Sequence, residues 1–237
     1  MSNISDTAHN LNAQGSSRTY KYLLLWLQWV SASIVASLVG LIAGTILFAG
    51  AVALILTLRV QSEITWFLQP MIFGGFIGLS LSTAQKLIIQ QHLSLPKRFI
   101  QLSTMGALIA LLLNSINDIL ASPLPLPFLA GIGGAIFGFS QWLVLHRVLR
   151  HSGWWVLANS VAWGAGGTLM YALLVPWTYT GGSDPLPGYD IFLDICGLPL
   201  VCIVTAAAIT GFVLVWLLRA SLQPHTPSPP PHSTSPR

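Results

Sequence analysis

The chain has 237 residues, of which only 7% are charged and 54% are hydrophobic. A soluble globular domain carries about 25% charged residues, so this composition excludes an ordinary cytosolic enzyme, a nucleic-acid binder and a disordered chain. It points to a polytopic all-α membrane bundle. The basic excess is a topology signal, because no run of five Lys/Arg forms a nucleic-acid or headgroup patch.

In chain order, residues 1–20 are polar and rich in Ser, Asn and Thr, and read as a mobile N-terminal segment. A helix needs about 20 apolar residues to cross the hydrocarbon core. Six stretches qualify within 21–222: Tyr22–Leu58, Gln69–Leu93, Lys97–Leu120, Pro127–Leu149, Gly153–Trp177 and Ile191–Leu222. The first would be about 55 Å long as one helix. It reads as one long tilted span, with Gly50 the expected place for a break or bend. Residues 223–237 contain Pro-Ser-Pro-Pro-Pro and read as an extended tail.

Charge placement supports the single crossing. With six spans, one side receives Arg18, Lys21, Lys86, Lys97, Arg98, Arg147, Arg150, Arg219 and Arg237. The other receives Arg59 and five of the six acids, Glu63, Asp118, Asp184, Asp190 and Asp194. The positive-inside rule then puts both termini in the cytoplasm. Two crossings in the first stretch would reverse every later loop and destroy this asymmetry. Trp26, Trp29, Trp154, Trp155 and Trp216 fall near the expected cytoplasmic interface, and Trp66, Trp177 and Tyr179 near the outer one.

A shift of 56 residues superposes two stretches. Gly75-Phe76-Ile77-Gly78 faces Gly131-Ile132-Gly133-Gly134, Gln85 faces Gln141, and Phe99-Ile100 faces Trp155-Val156. Each unit is a small-residue helix (A), a basic loop and a second helix opening with an aromatic (B). Partial copies at Trp29–Gly40 and in the last span extend the order to B, A, B, A, B, A, a parallel repeat. Gly75, Gly78, Ser82 and Gln85, and likewise Gly131, Gly134, Gly138 and Gln141, recur at steps of 3, 4 and 3, which hold them on one helical face. The B helices carry the stripes Phe99, Ser103, Gly106, Ala110 and Trp155, Asn159, Ala162, Gly166. Small residues permit close backbone approach and Gln or Asn amides bond across helices, so A and B faces are expected to meet.

Gly134–Gly138 with Gln141-Trp142-Leu143-Val144-Leu145-His146-Arg147, followed by Trp154–Asn159 and Trp163-Gly164, resembles a bacterial multi-pass membrane family common in cyanobacteria. That family repeats a Gly-rich, Gln-Trp-x-x-Leu-x-Arg, Trp-Val pattern. The likeness covers about Ala130–Gly167, with a degenerate copy at Gly75–Ala110 in which Lys86 replaces the Trp and Gln90-Gln91 replace His146-Arg147. The family carries no established activity, so the resemblance implies architecture alone and a bacterial plasma or thylakoid membrane.

Candidate chemistry is sparse. Asn114, Asn117 and Asp118 share a face near the outer end of the third span. They read either as a polar-solute or cation site or as a helix end wetting into the interface. Asp184, Asp190 and Asp194 lie in an outer loop without EF-hand spacing, so no metal is expected. His146, Arg147, Arg150 and His151 could contact anionic headgroups, although positive-inside bias already accounts for them. Cys196 and Cys202 read as small buried hydrophobes rather than a bridge. Gly-x-Ser-x-Gly and His-Glu-x-x-His are absent, and no cofactor is implied. The expected role is a non-enzymatic membrane scaffold or interaction subunit, with lipid and a membrane-protein partner or a second copy as its contacts. The alternative is a small-solute or ion transporter.

Overall fold

The computed structural model describes residues 3–59, 64–119, 124–179 and 198–222, which are helical apart from Arg59 and short turns at 91–97, 124–125 and 146–152. Six helices follow one another: α1 (Asn3–Leu58), α2 (Ile64–Gln90), α3 (Arg98–Ile119), α4 (Leu126–Leu145), α5 (Gly153–Tyr179) and α6 (Leu198–Leu222). All but α5 are long and apolar enough to cross a membrane. Yet α5 runs antiparallel to α4 over most of its length. Gly138 meets Val156 and Asn159, Gly134 meets Trp163, and Gly167 meets Pro127 and Ala130.

The helices close into a ring. Each packs on its neighbours in the chain, and α6 returns to pack on α1. Consecutive helices alternate in direction, so the α2–α3 loop, the α4–α5 loop, the Tyr22 region of α1 and the end of α6 gather at one end. There the main apolar core forms from Leu25, Trp29, Ile89, Leu95, Phe99, Leu145, Leu149, Trp155, Leu214 and Leu217. Trp29, Phe99 and Trp155, the aromatics expected from sequence to open the B stretches, have no exposed surface. Trp29 meets Trp155 edge to face, with centroids 5.7 Å apart.

The two basic loops make matching backbone bonds at the 56-residue offset. Leu93 donates to Ile89 and Leu149 to Leu145, both at 2.8 Å. Phe99 donates to Pro96 at 3.1 Å, and Trp155 to Ser152 at 2.9 Å. In each loop a leucine, Leu95 or Leu149, is buried beneath the turn.

Several expectations need correction. α1 is one uninterrupted helix through Gly50, 56 residues and about 84 Å long. Its backbone is helical from Asn3, so residues 3–20, read from sequence as a polar N-terminal segment, continue the same helix. Arg59, at φ 53°, ends it in the left-handed region. α2 begins at Ile64 rather than Gln69 and carries Pro70 inside its second turn. α4 stops at Leu145 rather than Leu149, because the chain there turns back with bonds to Trp142, Val144 and Leu145. Trp29 and Trp155 are buried in the core, whereas Trp154 and Trp216 are exposed. The outer-loop acids, the side chains of Trp66, Trp177 and Tyr179, Cys196, and residues 223–237 fall outside the described residues.

Candidate functional site: a buried amide and indole network

The polar residues of the A faces converge in the ring. Gln141 on α4 is fully buried, and Gln85 on α2 is 5% exposed. Gln141 Nε2 donates to Gln85 Oε1 at 2.7 Å. Gln141 Oε1 accepts the indole N–H of Trp155 from α5, also at 2.7 Å. Three helices are thus joined by two short side-chain bonds. α2 and α4 are not ring neighbours, so the Gln85–Gln141 bond reaches across the bundle past α3.

The α6–α1 closure repeats this pattern with a smaller acceptor. Trp29 Nε1 donates to Thr210 Oγ1 at 3.2 Å, as Trp155 does to Gln141. Thr210 passes its own hydrogen to Ala206 O at 2.7 Å. Trp26 Nε1 adds a bond to Ala208 O at 3.0 Å. In the third unit the aromatic is Phe99, which has no N–H to give. Gln85 Oε1 takes its hydrogen from Gln141 instead. Because Phe99 offers no donor, the Gln85 oxygen is open to the Gln141 amide, while Gln141 still accepts from Trp155.

Around the network, contact is too close for side chains. A methyl placed on Gly134 would lie 2.5 Å from the Asn159 carbonyl oxygen and 2.8 Å from Trp163 Cβ. One on Gly138 would lie 2.8 Å from Asn159 Cβ, and one on Gly78 2.7 Å from Ala107 Cβ. One on Gly166 would lie 2.8 Å from the Cys202 sulfur of α6, and one on Gly106 would collide with Ser140 of α4. A methyl on Gly131 would sit at ordinary contact distance, 3.5 Å from Ser160 O, and the Gly131 carbonyl accepts the Ser160 hydroxyl at 3.0 Å. A methyl on Gly75 would lie 4.0 Å from Leu108 Cδ2, whereas one on its neighbour Gly74 would lie 3.0 Å from Leu108 Cα. The close face of α2 is therefore Gly74, Gly78, Ser82 and Gln85. Ser82 Oγ bonds Gly78 O at 2.5 Å and approaches Thr104 Oγ1 at 3.5 Å. Asn159 bonds back to Trp155 O at 2.9 Å within its own helix.

Gly40 and Gly211 are also packing positions, and Gly211 had no signal in the sequence pattern. Gly40 seats α1 on Ile77 and Phe76 of α2, and Gly211 seats α6 on Trp29. Gly40 carried a weak signal as half of a lone Gly-x-x-x-Gly with Gly44, which itself meets Phe73 at 3.0 Å.

The other candidates separate. Asn117 Oδ1 accepts the Leu124 N–H at 2.8 Å, tying the end of α3 to the entry of α4. Asn114 Oδ1 is buried without a partner, and the Asp118 side chain lies outside the described residues. The structure also divides the basic-loop set. His146 stacks on Trp142, centroids 5.1 Å apart, and Trp142 on Phe139, along the outer face of α4. His151 turns the other way, toward Trp216 of α6. Arg147 and Arg150 are exposed.

Comparison with protein-family models, with curated proteins and with solved structures finds no match to this chain. Its chemistry is accordingly argued from its own residues.

Proposed function

We propose that this chain is a non-catalytic integral membrane scaffold or interaction subunit. The observation that carries the reading is the use of Gln85, Gln141 and Trp155 in bonds between helices. A transport path would need such amides presented to a solute, whereas here their bonds are spent on neighbouring helices in a packed core. The shared loop bonds and the Trp29–Thr210 and Trp155–Gln141 pairs support descent from three copies of one helical pair. The charge distribution supports cytoplasmic termini, and the resemblance to the cyanobacterial family suggests a bacterial plasma or thylakoid membrane. α5 counts as a sixth crossing on this reading, because it is coextensive with α4.

The test is purification of the full chain from its native membrane in mild detergent. A second membrane protein, or a second copy of the chain, retained at fixed stoichiometry supports the scaffold. A monomer without partners contradicts it. The transporter reading keeps one favourable observation, the unpartnered Asn114 oxygen near Asn117 and Asp118.

A further inference from the structure

At the loop end of the bundle, Tyr22, His151, Trp154, Trp216 and Arg219 form one patch across α1, α5 and α6. Trp216 and Arg219 are three residues apart and share a face of α6. The rings of His151 and Trp154 lie 6.5 and 6.4 Å from that of Trp216. The Arg219 guanidinium stands 3.9 Å above the Tyr22 ring. His151 adopts φ 60°, and its carbonyl accepts the Trp154 N–H at 3.1 Å, so a tight turn fixes this side of the patch. Trp154 and Trp216 remain 54% and 43% exposed.

The segments that make this end, residues 20–29, 86–99, 145–155 and 214–222, contain no Asp or Glu. Arg219 therefore rests on an aromatic face instead of a carboxylate. Stacking uses one face of the guanidinium and leaves its N–H edge available to a bidentate oxyanion. Exposed indoles beside it suit the headgroup level, where the ring packs on the acyl–glycerol boundary and the N–H meets oxygen.

We propose that this patch binds the phosphodiester headgroup of an anionic phospholipid. Arg219 takes the phosphate, His151 faces it from across the seam, and Trp154 and Trp216 hold the glycerol region. The inference rests on the membrane reading above, with this end at the bilayer surface.

The test uses the full chain in nanodiscs of phosphatidylcholine doped with phosphatidylglycerol. Lipid retained after mild-detergent extraction is read by native mass spectrometry. Wild type is expected to retain phosphatidylglycerol preferentially. Arg219→Gln should lower that preference about fivefold, the effect of one basic side chain near an anionic surface, and His151→Gln should lower it further. Lys97→Gln with Arg98→Gln removes two charges from the same end and should leave it intact. Inorganic phosphate should not displace the lipid. An equal loss in the Lys97/Arg98 variant would mean general charge attraction and overturn the site. Displacement by inorganic phosphate, or no change in Arg219→Gln, would overturn it equally. Failure of the chain to enter nanodiscs at all would instead count against the membrane reading.

Discussion

Trp155 donates its indole hydrogen to Gln141 at 2.7 Å, and this bond orients the Gln141 amide so that its nitrogen faces Gln85. Removing the indole N–H by Trp155→Phe keeps most of the buried ring and leaves one acceptor on Gln141. Interhelical bonds in membranes average about 0.6 kcal/mol, with a maximum of about 1.7. The loss should fall in that range in a reversible unfolding assay in mixed micelles.

Gln141→Leu should cost more. It orphans the Trp155 donor and the Gln85 acceptor together, and each unsatisfied buried group costs about 1–3 kcal/mol. Gln85→Leu leaves only one Gln141 donor unserved and should sit between the two. If Gln141→Leu were as mild as Trp155→Phe in the same assay, the network would not be a connected unit.

Phe99 occupies in its unit the place that Trp155 has in the next. Phe99→Trp adds volume to a site with no exposed surface and should destabilise by about 1–3 kcal/mol. In the Gln141→Leu background the new indole can serve the orphaned Gln85 oxygen. A double-mutant cycle should then show a favourable coupling between the two changes. Coupling of zero or of the opposite sign would remove the argument from equivalent positions.

The glycines should divide by their surroundings. Gly134→Ala forces a methyl against the Asn159 carbonyl and Trp163, and should destabilise by about 1–3 kcal/mol. Gly50 has nothing within 4 Å of a would-be Cβ. Gly50→Ala should therefore stabilise α1 by about 0.5–1 kcal/mol, the helix-propensity difference. Thermal melts of the two purified variants compare them directly.

Topology has its own check. A thiol label added to intact cells should reach Ser183→Cys from outside. Labelling from the cytoplasmic side alone would reverse the orientation.

The six helices were legible because hydrocarbon thickness demands long apolar runs, and nearly all of them end where charge or Pro/Gly clusters appear. Ends were less legible where apolar residues serve a loop. Leu149 reads as the last residue of a span, but it is a plug beneath a turn. The 56-residue offset made Gln85 and Gln141 visible as equivalents. It could not show that equivalents bond to each other, since that follows from ring closure and from Phe99 lacking a donor. Gly75 was chosen over Gly74 because a periodicity of 3, 4 and 3 cannot separate adjacent small residues. The neighbour's crossing decides that, and α3 crosses at Gly74 and Gly78. Aromatics near helix ends read as interfacial anchors, but only the contacts distinguish Trp154 and Trp216, which face out, from Trp29 and Trp155, which close the core.

The central claim is that the buried amides hold helices together and do not line a path. The most direct measurement is flux through proteoliposomes carrying the full chain, using glycerol and urea swelling with dye-reported proton and potassium movement. Rates equal to those of empty liposomes are expected, in wild type and in Asp118→Asn alike. Flux above that background that disappears in Asp118→Asn or Gln141→Leu would contradict the claim.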